Sequence, residues 1–108
     1  MDFNEYQDKA RSTAIFDPKY KYMYPALGLA GEAGEVCEKV KKMFRDDDGV
    51  PSDAKIEEVK KELGDVLWYV ANLAADFDLE LSDIAQFNIN KLFSRQERGV
   101  LKGSGDDR

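Results

Sequence analysis

Ile56, Val59, Leu63, Val66, Val70, Leu73 and Phe77 recur at intervals of three and four residues. That spacing lines up side chains along one face of an α-helix and is incompatible with a strand, whose faces alternate. From Val66 onward Leu67, Trp68, Ala71 and Ala75 place apolar groups on the other faces as well. A helix apolar nearly all round must be covered on several sides. In a chain of 108 residues it is therefore a central helix or one shared with another subunit. The expected fold is all-α: a compact bundle of about four helices, completed by oligomerisation, in a single domain spanning 1–108.

The other helices follow from the same periodicity. Phe3, Tyr6 and Ala10 mark a first helix over roughly Phe3 to Ala14, ended by the break at Asp17-Pro18. Pro25 can open a second helix, because its missing N–H is not needed in a first turn. Leu29, Ala33, Val36, Val40 and Met43 carry that helix to about Phe44. Arg45 to Ser52 forms a connection, and Ser52 or Asp53 caps the third helix. Ser82 is the expected cap of a fourth, which carries Ile84, Phe87 and Leu92 and runs to about Arg98. Gly99 to Arg108, rich in Gly, Asp and basic residues, is expected to be a flexible tail.

Absences narrow the chemistry. The chain has no histidine, which removes Ser-His-Asp triads, histidine-bearing zinc sites and Glu-x-x-His di-iron motifs. A net charge of −6 argues against a nucleic-acid binder, since phosphate backbones reward a basic face. No apolar run approaches the ~20 residues that span a membrane. The single cysteine, Cys37, rules out an intrachain disulfide, and the acidic start Met1-Asp2-Phe3-Asn4-Glu5 is no signal peptide. The expected location is cytoplasmic.

Glu32-Ala33-Gly34-Glu35 and Glu62-Leu63-Gly64-Asp65 repeat one arrangement, acid-x-x-acid, on consecutive helices. Residues three apart share a helical face, and like charges there repel by a few tenths of a kcal/mol. Magnesium, a hard cation that prefers oxygen and keeps room for water and phosphate oxygens, supplies the missing counter-charge. The short connection makes the two helices antiparallel neighbours, so both pairs can face one groove. Each carboxylate row lies one residue ahead of its apolar stripe, a rotation of about 100° in the same sense on both helices. The acids thus sit beside the core, whereas a merely solvated face usually lies opposite.

Glutamates at helical spacing more often form just such a solvated face with Lys at i+4, as in Glu38–Lys42 and Glu57–Lys61. Two matching pairs interrupted by glycine weaken that reading. Gly28, Gly31, Gly34 and Gly64 each cost roughly 1 kcal/mol against Ala inside a helix. Glycine there permits close approach by another helix or a ligand. Gly28-Leu29-Ala30-Gly31 lacks the Gly-Lys-Ser/Thr of a P-loop, and Asp46-Asp47-Asp48-Gly49 fails the spacing of a calcium-binding loop.

With these motifs the sequence resembles the MazG-like, all-α nucleoside triphosphate pyrophosphohydrolases. The four acids carry the resemblance, together with Tyr24-Pro25-Ala26-Leu27-Gly28-Leu29-Ala30-Gly31-Glu32 and Lys61-Glu62-Leu63-Gly64-Asp65-Val66-Leu67-Trp68-Tyr69. Asn88-Ile89-Asn90-Lys91-Leu92, Arg95 and Arg98-Gly99-Val100-Leu101 also look family-like. The resemblance implies magnesium-dependent cleavage of an NTP or dNTP between its α- and β-phosphates, with manganese able to substitute. It implies a homodimer or dimer of dimers, and related branches include dimeric dUTPases and dCTPases. By the same resemblance Glu32, Glu35, Glu62 and Asp65 are the metal ligands, and Asn88, Lys91 and Arg95 touch phosphate or sugar.

Such a reaction needs a base for the attacking water and stabilisation of the leaving pyrophosphate. Glu35 is the expected base, with Glu32 the alternative. Asn88, Lys91, Arg95 and Arg98 fall on one polar face of the fourth helix, where Arg suits phosphate through its bidentate fork. Lys39, on the Glu32–Glu35 face, can touch phosphate or offset repulsion; Lys102 and Arg108 can close over a nucleotide. Tyr69 and Asn72, on the carboxylate row, and Tyr20, Tyr22 and Tyr24 are candidates for base and sugar. Trp68 is expected in the core or a subunit interface. Two rival readings are a non-enzymatic helical interaction module and a hydrolase of another pyrophosphate substrate such as phosphoribosyl-ATP.

Overall fold

The computed structural model describes residues 1–108 and is all-helical. Helix α1 spans Phe3–Ser12, a short 3₁₀ turn follows at Pro18–Tyr20, and α2, α3 and α4 span Met23–Asp47, Asp53–Asp76 and Leu81–Glu97. The helix starts are chemically marked. Asp2 accepts a hydrogen bond from the Glu5 N–H at 2.8 Å. Asp17 does the same for Lys19 at 2.9 Å, and Ser52 for Lys55 at 3.1 Å. Each side-chain oxygen satisfies a first-turn N–H that the helix leaves free.

Helix α2 is longer at both ends than periodicity predicts. It starts at Met23, after Tyr22, whose backbone takes a positive φ (66°, with ψ −49°) and whose N–H donates to Asp76 at 2.9 Å. Pro25 then lies inside the first turn, where its missing N–H is harmless. The polar run Arg45-Asp46-Asp47, expected to be loop, contains no helix breaker and stays helical. The break comes at Asp48 and Gly49, both in left-handed conformation, and the Gly49 N–H bonds the Met43 carbonyl at 3.3 Å. A Cβ on Gly49 would also strike the Phe44 ring, so glycine is required there twice over.

Helix α4 begins one residue before the expected cap, Ser82. Its first N–H groups are capped by α1 instead: Leu81 by Gln7 Oε1 at 3.0 Å and Ser82 by Asn4 Oδ1 at 3.1 Å. Gln7 also donates to the carbonyls of Ala71 and Leu79, so one buried amide ties α1, α3 and α4 together.

Helices α2 and α3 form a long antiparallel hairpin, α1 lies across the second half of α3, and α4 packs mainly on α1. Helix α3 is thus the central helix, touching the other three. The packed core is small: Ala10, Ala71 and Leu81, with Tyr6, Trp68 and Val70 against them. Trp68 belongs to this core, its Nε1–H donating to Thr13 Oγ1 at 2.8 Å. Arg11 pairs with the buried Asp76 at 2.7 Å.

Far more apolar surface stays outside. Leu27, Phe44, Ile56, Leu63, Phe87 and Phe93 are all more than half exposed. The radius of gyration is 16.7 Å, against about 13 Å for a compact chain of this length. No helix is long and apolar enough to cross a membrane. The closing segment, expected to be a loose tail, folds back on α4. Asp106 pairs with Lys91 and Arg95. Arg108 donates to the carbonyls of Val100, Leu101 and Gly105.

Candidate functional site

The hairpin brings the two acidic motifs face to face. Carboxylate oxygens of Glu32 on α2 and of Glu62 and Asp65 on α3 all lie within 4.8 Å of one another. Around an octahedral magnesium at 2.0–2.1 Å, neighbouring ligand oxygens stand about 3 Å apart and opposite ones about 4 Å. A slight contraction would therefore bring all three onto one ion. The donor set is wholly carboxylate, which suits a hard cation and leaves places for water and phosphate oxygens. These acids could hold a metal. Glu35, one turn further along α2 and exposed, is not part of that group of three.

The cluster is electrostatically uncompensated. The Glu32 carboxyl is raised above its ordinary 4.5 by partial burial, by a hydrogen bond with Glu62, and by the charges of Asp65, Glu62 and Glu35. The nearest lysine on its own helix face, Lys39, is directed to Glu58, 3.9 Å away. Of the two expected i,i+4 pairs, Glu38–Lys42 forms at 3.5 Å, while Glu57 and Lys61 form none within 4 Å. Glu38 and Glu58 on the hairpin are thus paired with lysines, whereas Glu32, Glu62 and Asp65 are not.

Aromatic rings flank the acids. Tyr69, one turn beyond Asp65, lies so close to Gly28 that a Cβ there would strike its ring. This glycine alone shows the close approach expected of all four. Around Gly31, Gly34 and Gly64 a Cβ would meet nothing within 4 Å. Burial, then the neighbouring Tyr24, Glu32 and Asp65, raise the Tyr69 hydroxyl above its ordinary value. Tyr24 stands 6.3 Å from Tyr69 and stacks on Phe16 at 4.8 Å, nearly parallel. Phe16, in the segment between α1 and α2, carries no periodic signal and joins the array only through the fold. Tyr6 of α1 likewise comes under the influence of Asp65: burial first, then that charge, raises its hydroxyl.

The remaining candidates are placed as follows. Asn72 is fully buried; its amide donates to the Trp68 carbonyl at 3.0 Å and receives Arg11 at 3.3 Å. Tyr22 packs on Phe77, and Tyr20 lies under the Lys19 ammonium. On α4 Asn88 is exposed, Lys91 and Arg95 share Asp106, and Arg98 donates to Ser94 Oγ and to the Arg108 carbonyl. The largest cleft, about 540 Å³, lies elsewhere, between the far ends of α2 and α3. Val40, Met43, Ile56, Val59 and Leu63 line it. Lys55 and Lys60 stand at its edge, but its walls are almost wholly apolar, so the cleft is suited to burying apolar surface.

Known proteins are similar to this chain over most of its length. A family model described as the MazG nucleotide pyrophosphohydrolase domain matches residues 24–100, from the first turn of α2 to just past α4. The Gene 37 protein of Mycobacterium phage L5 is 47% identical over 114 aligned residues, which cover 100% of this chain and 100% of that protein. No solved structure matches the chain. The match over most of the sequence, acidic hairpin included, shows that the chain belongs to the MazG nucleotide pyrophosphohydrolase family and is a hydrolase of that general type.

Proposed function

We propose that the protein is a magnesium-dependent nucleoside triphosphate pyrophosphohydrolase, converting an NTP or dNTP to the monophosphate and pyrophosphate. The observation that carries this reading is the convergence of Glu32, Glu62 and Asp65 within 4.8 Å with no cationic side chain among them. Three acids held so close cost stability unless a cation joins them. In this reading they hold magnesium, for which manganese substitutes. Bound there, the metal neutralises the polyphosphate and makes phosphorus a better electrophile.

The chain's own residues supply the rest. Glu35 lies one turn from Glu32 and outside the cluster of three, free to take the proton of the attacking water while Glu32 stays on the metal. Glu35 can also join the metal shell if its side chain turns inward. Asn88, Lys91, Arg95 and Arg98, with Lys39, contact phosphate or sugar oxygens; bidentate Arg and point-charged Lys stabilise the leaving pyrophosphate. Tyr69 and the adjoining rings offer a stacking surface for the base, and Asn72 fixes the backbone beneath them.

The working form is a homodimer or a dimer of dimers. The exposed apolar residues of α2, α3 and α4 and the wide radius of gyration support this. The apolar cleft at the far end of the hairpin is surface that a second copy would cover. Light scattering behind size exclusion tests it; a monodisperse monomer at micromolar concentration would sink this part.

The reaction is tested by incubating the purified protein with canonical and modified NTPs and dNTPs, in magnesium or EDTA, and quantifying monophosphate and pyrophosphate. Paired release that depends on magnesium supports the reading and ranks the substrates. A folded oligomer silent across the panel excludes it.

A further inference from the structure

We propose that Asp106 is a built-in competitor of the substrate's phosphates: its carboxylate sits in the anion site that Lys91 and Arg95 form on α4, and must leave before a phosphate can enter. This rests on the reading of those two side chains as phosphate contacts and adds regulation of that site.

Lys91 Nζ lies 2.8 Å from Asp106 Oδ1, and Arg95 Nη2 lies 3.0 Å from the same oxygen. Arg95 Nη2 also donates to the Asp106 backbone carbonyl. The two cations are one helical turn apart, so a single oxyanion bridges them. The site itself is built into the fold. The Arg95 side chain is 5% exposed, whereas that of Asp106 is 79% exposed. A guanidinium so buried needs an anion; an aspartate so exposed loses little by leaving.

The fit of the carboxylate is incomplete. Arg95 Nε is buried and has no hydrogen-bond partner. Asp106 directs one carboxylate oxygen to both cations and leaves this third donor unused. A terminal phosphate has three oxygens in tetrahedral array and can meet Lys91 Nζ, Arg95 Nη2 and Arg95 Nε together. Exchange of carboxylate for phosphate therefore gains a bond that the present contact lacks. The segment bearing Asp106 is held by side-chain contacts, chiefly those of Arg108 to the Val100, Leu101 and Gly105 carbonyls, and not by helical structure. It lies outside any helix, two glycines precede Asp106 within three residues, and Gly105 holds φ at +83°. Lys91 and Arg95 hold the Asp106 carboxyl below its ordinary value, so the competitor is charged at neutral pH.

The full-length Asp106→Asn variant separates the possibilities. It keeps the size of the side chain and removes its charge. Steady-state kinetics on the best substrate and inhibition by inorganic pyrophosphate are measured in wild type and variant, and pyrophosphate binding is measured by calorimetry. Removal of one partly exposed charge pair predicts that KM and the pyrophosphate Kd both fall about fivefold with kcat unchanged. In a Lys91→Met background the same substitution should give less than half that gain. Equal or weaker pyrophosphate binding by Asp106→Asn overturns the proposal, as does a gain that persists undiminished without Lys91. Failure of the functional reading looks different. Wild type would then hydrolyse nothing, yet Asp106→Asn would still tighten pyrophosphate if the competitor is real.

Discussion

The groove between α2 and α3 and the basic face of α4 are opposites in charge and in how that charge is treated. In the groove, Glu32, Glu62 and Asp65 crowd within 4.8 Å and no cation from the chain joins them. On α4, Lys91 and Arg95 are met by Asp106 of the same chain. Folding tolerates the first arrangement only because long α2–α3 packing holds the helices together whatever the acids cost. The second joins a buried guanidinium to an exposed carboxylate on a segment outside any helix. The lesson is that unbalanced charge on a rigid hairpin and self-balanced charge beside a non-helical segment are both ways to wait for a ligand. One waits for a cation, the other for an anion.

The largest test of that contrast is to remove a groove acid. Asp65→Asn should lower turnover on the order of 10²-fold or more, the size seen when one preorganised electrostatic group is lost. Glu35→Gln should lower it comparably, and circular dichroism should show both variants folded. The two should part on metal binding. Asp65→Asn should lose magnesium-dependent stabilisation, whereas Glu35→Gln should keep it. Retained turnover in both would remove the assigned site.

Magnesium should stabilise the wild-type protein, because a ligand that binds only the folded state adds about 2.7 kcal/mol at a hundred times its Kd. Differential scanning fluorimetry should register a rise of several degrees that EDTA reverses. Glu32→Gln should reverse the sign of the comparison: more stable than wild type without metal, less responsive to it. If the metal-free variant is no more stable, the acids are not in conflict.

The glycines sharpen the picture on a smaller scale. Gly28→Ala pushes a methyl group into Tyr69, an overpacking that should cost about 1–3 kcal/mol. Gly64→Ala meets nothing and should stabilise the metal-free protein by ~0.5–1 kcal/mol, the propensity difference alone. Chemical denaturation of both variants checks the pair. A loss at Gly64 would show that a second copy of the chain presses against that face.

These distinctions mark what periodicity can reveal. The helices, the central place of α3 and the facing acids follow from local spacing, because a short connection forces the hairpin. The cap on α4 did not, since Gln7 and Asn4 reach it from 74 and 78 residues away in sequence. Nor did Phe16, which lies between helices, carries no periodic signal and stacks on Tyr24 across the turn that joins α1 to α2. The fold-back of Asp106 was equally invisible, because a Gly- and Asp-rich segment carries no periodic signal and its two partners lie on another element. Local pattern shows a helix face; it does not show which distant side chain will complete it.

Acid should move the two regions in opposite directions. Asp106 has its carboxyl lowered from the ordinary 3.8 by hydrogen bonds from Lys91 and Arg95. Its contact is therefore fully present above 3.8 and is lost as pH falls through the lower value. Glu32 is raised above 4.5, so in metal-free protein its contribution is fully present below 4.5 and fades as pH rises through the raised value. Between the two ordinary values the groove should already be relaxed by a proton while the α4 contact still holds. Side-chain NMR of the Asp106 and Glu32 carboxyl carbons, titrated without metal, should show Glu32 changing first as pH is lowered. The reverse order would mean that the groove acids share their charge more easily than their spacing allows, and would remove the reason for expecting a cation among them.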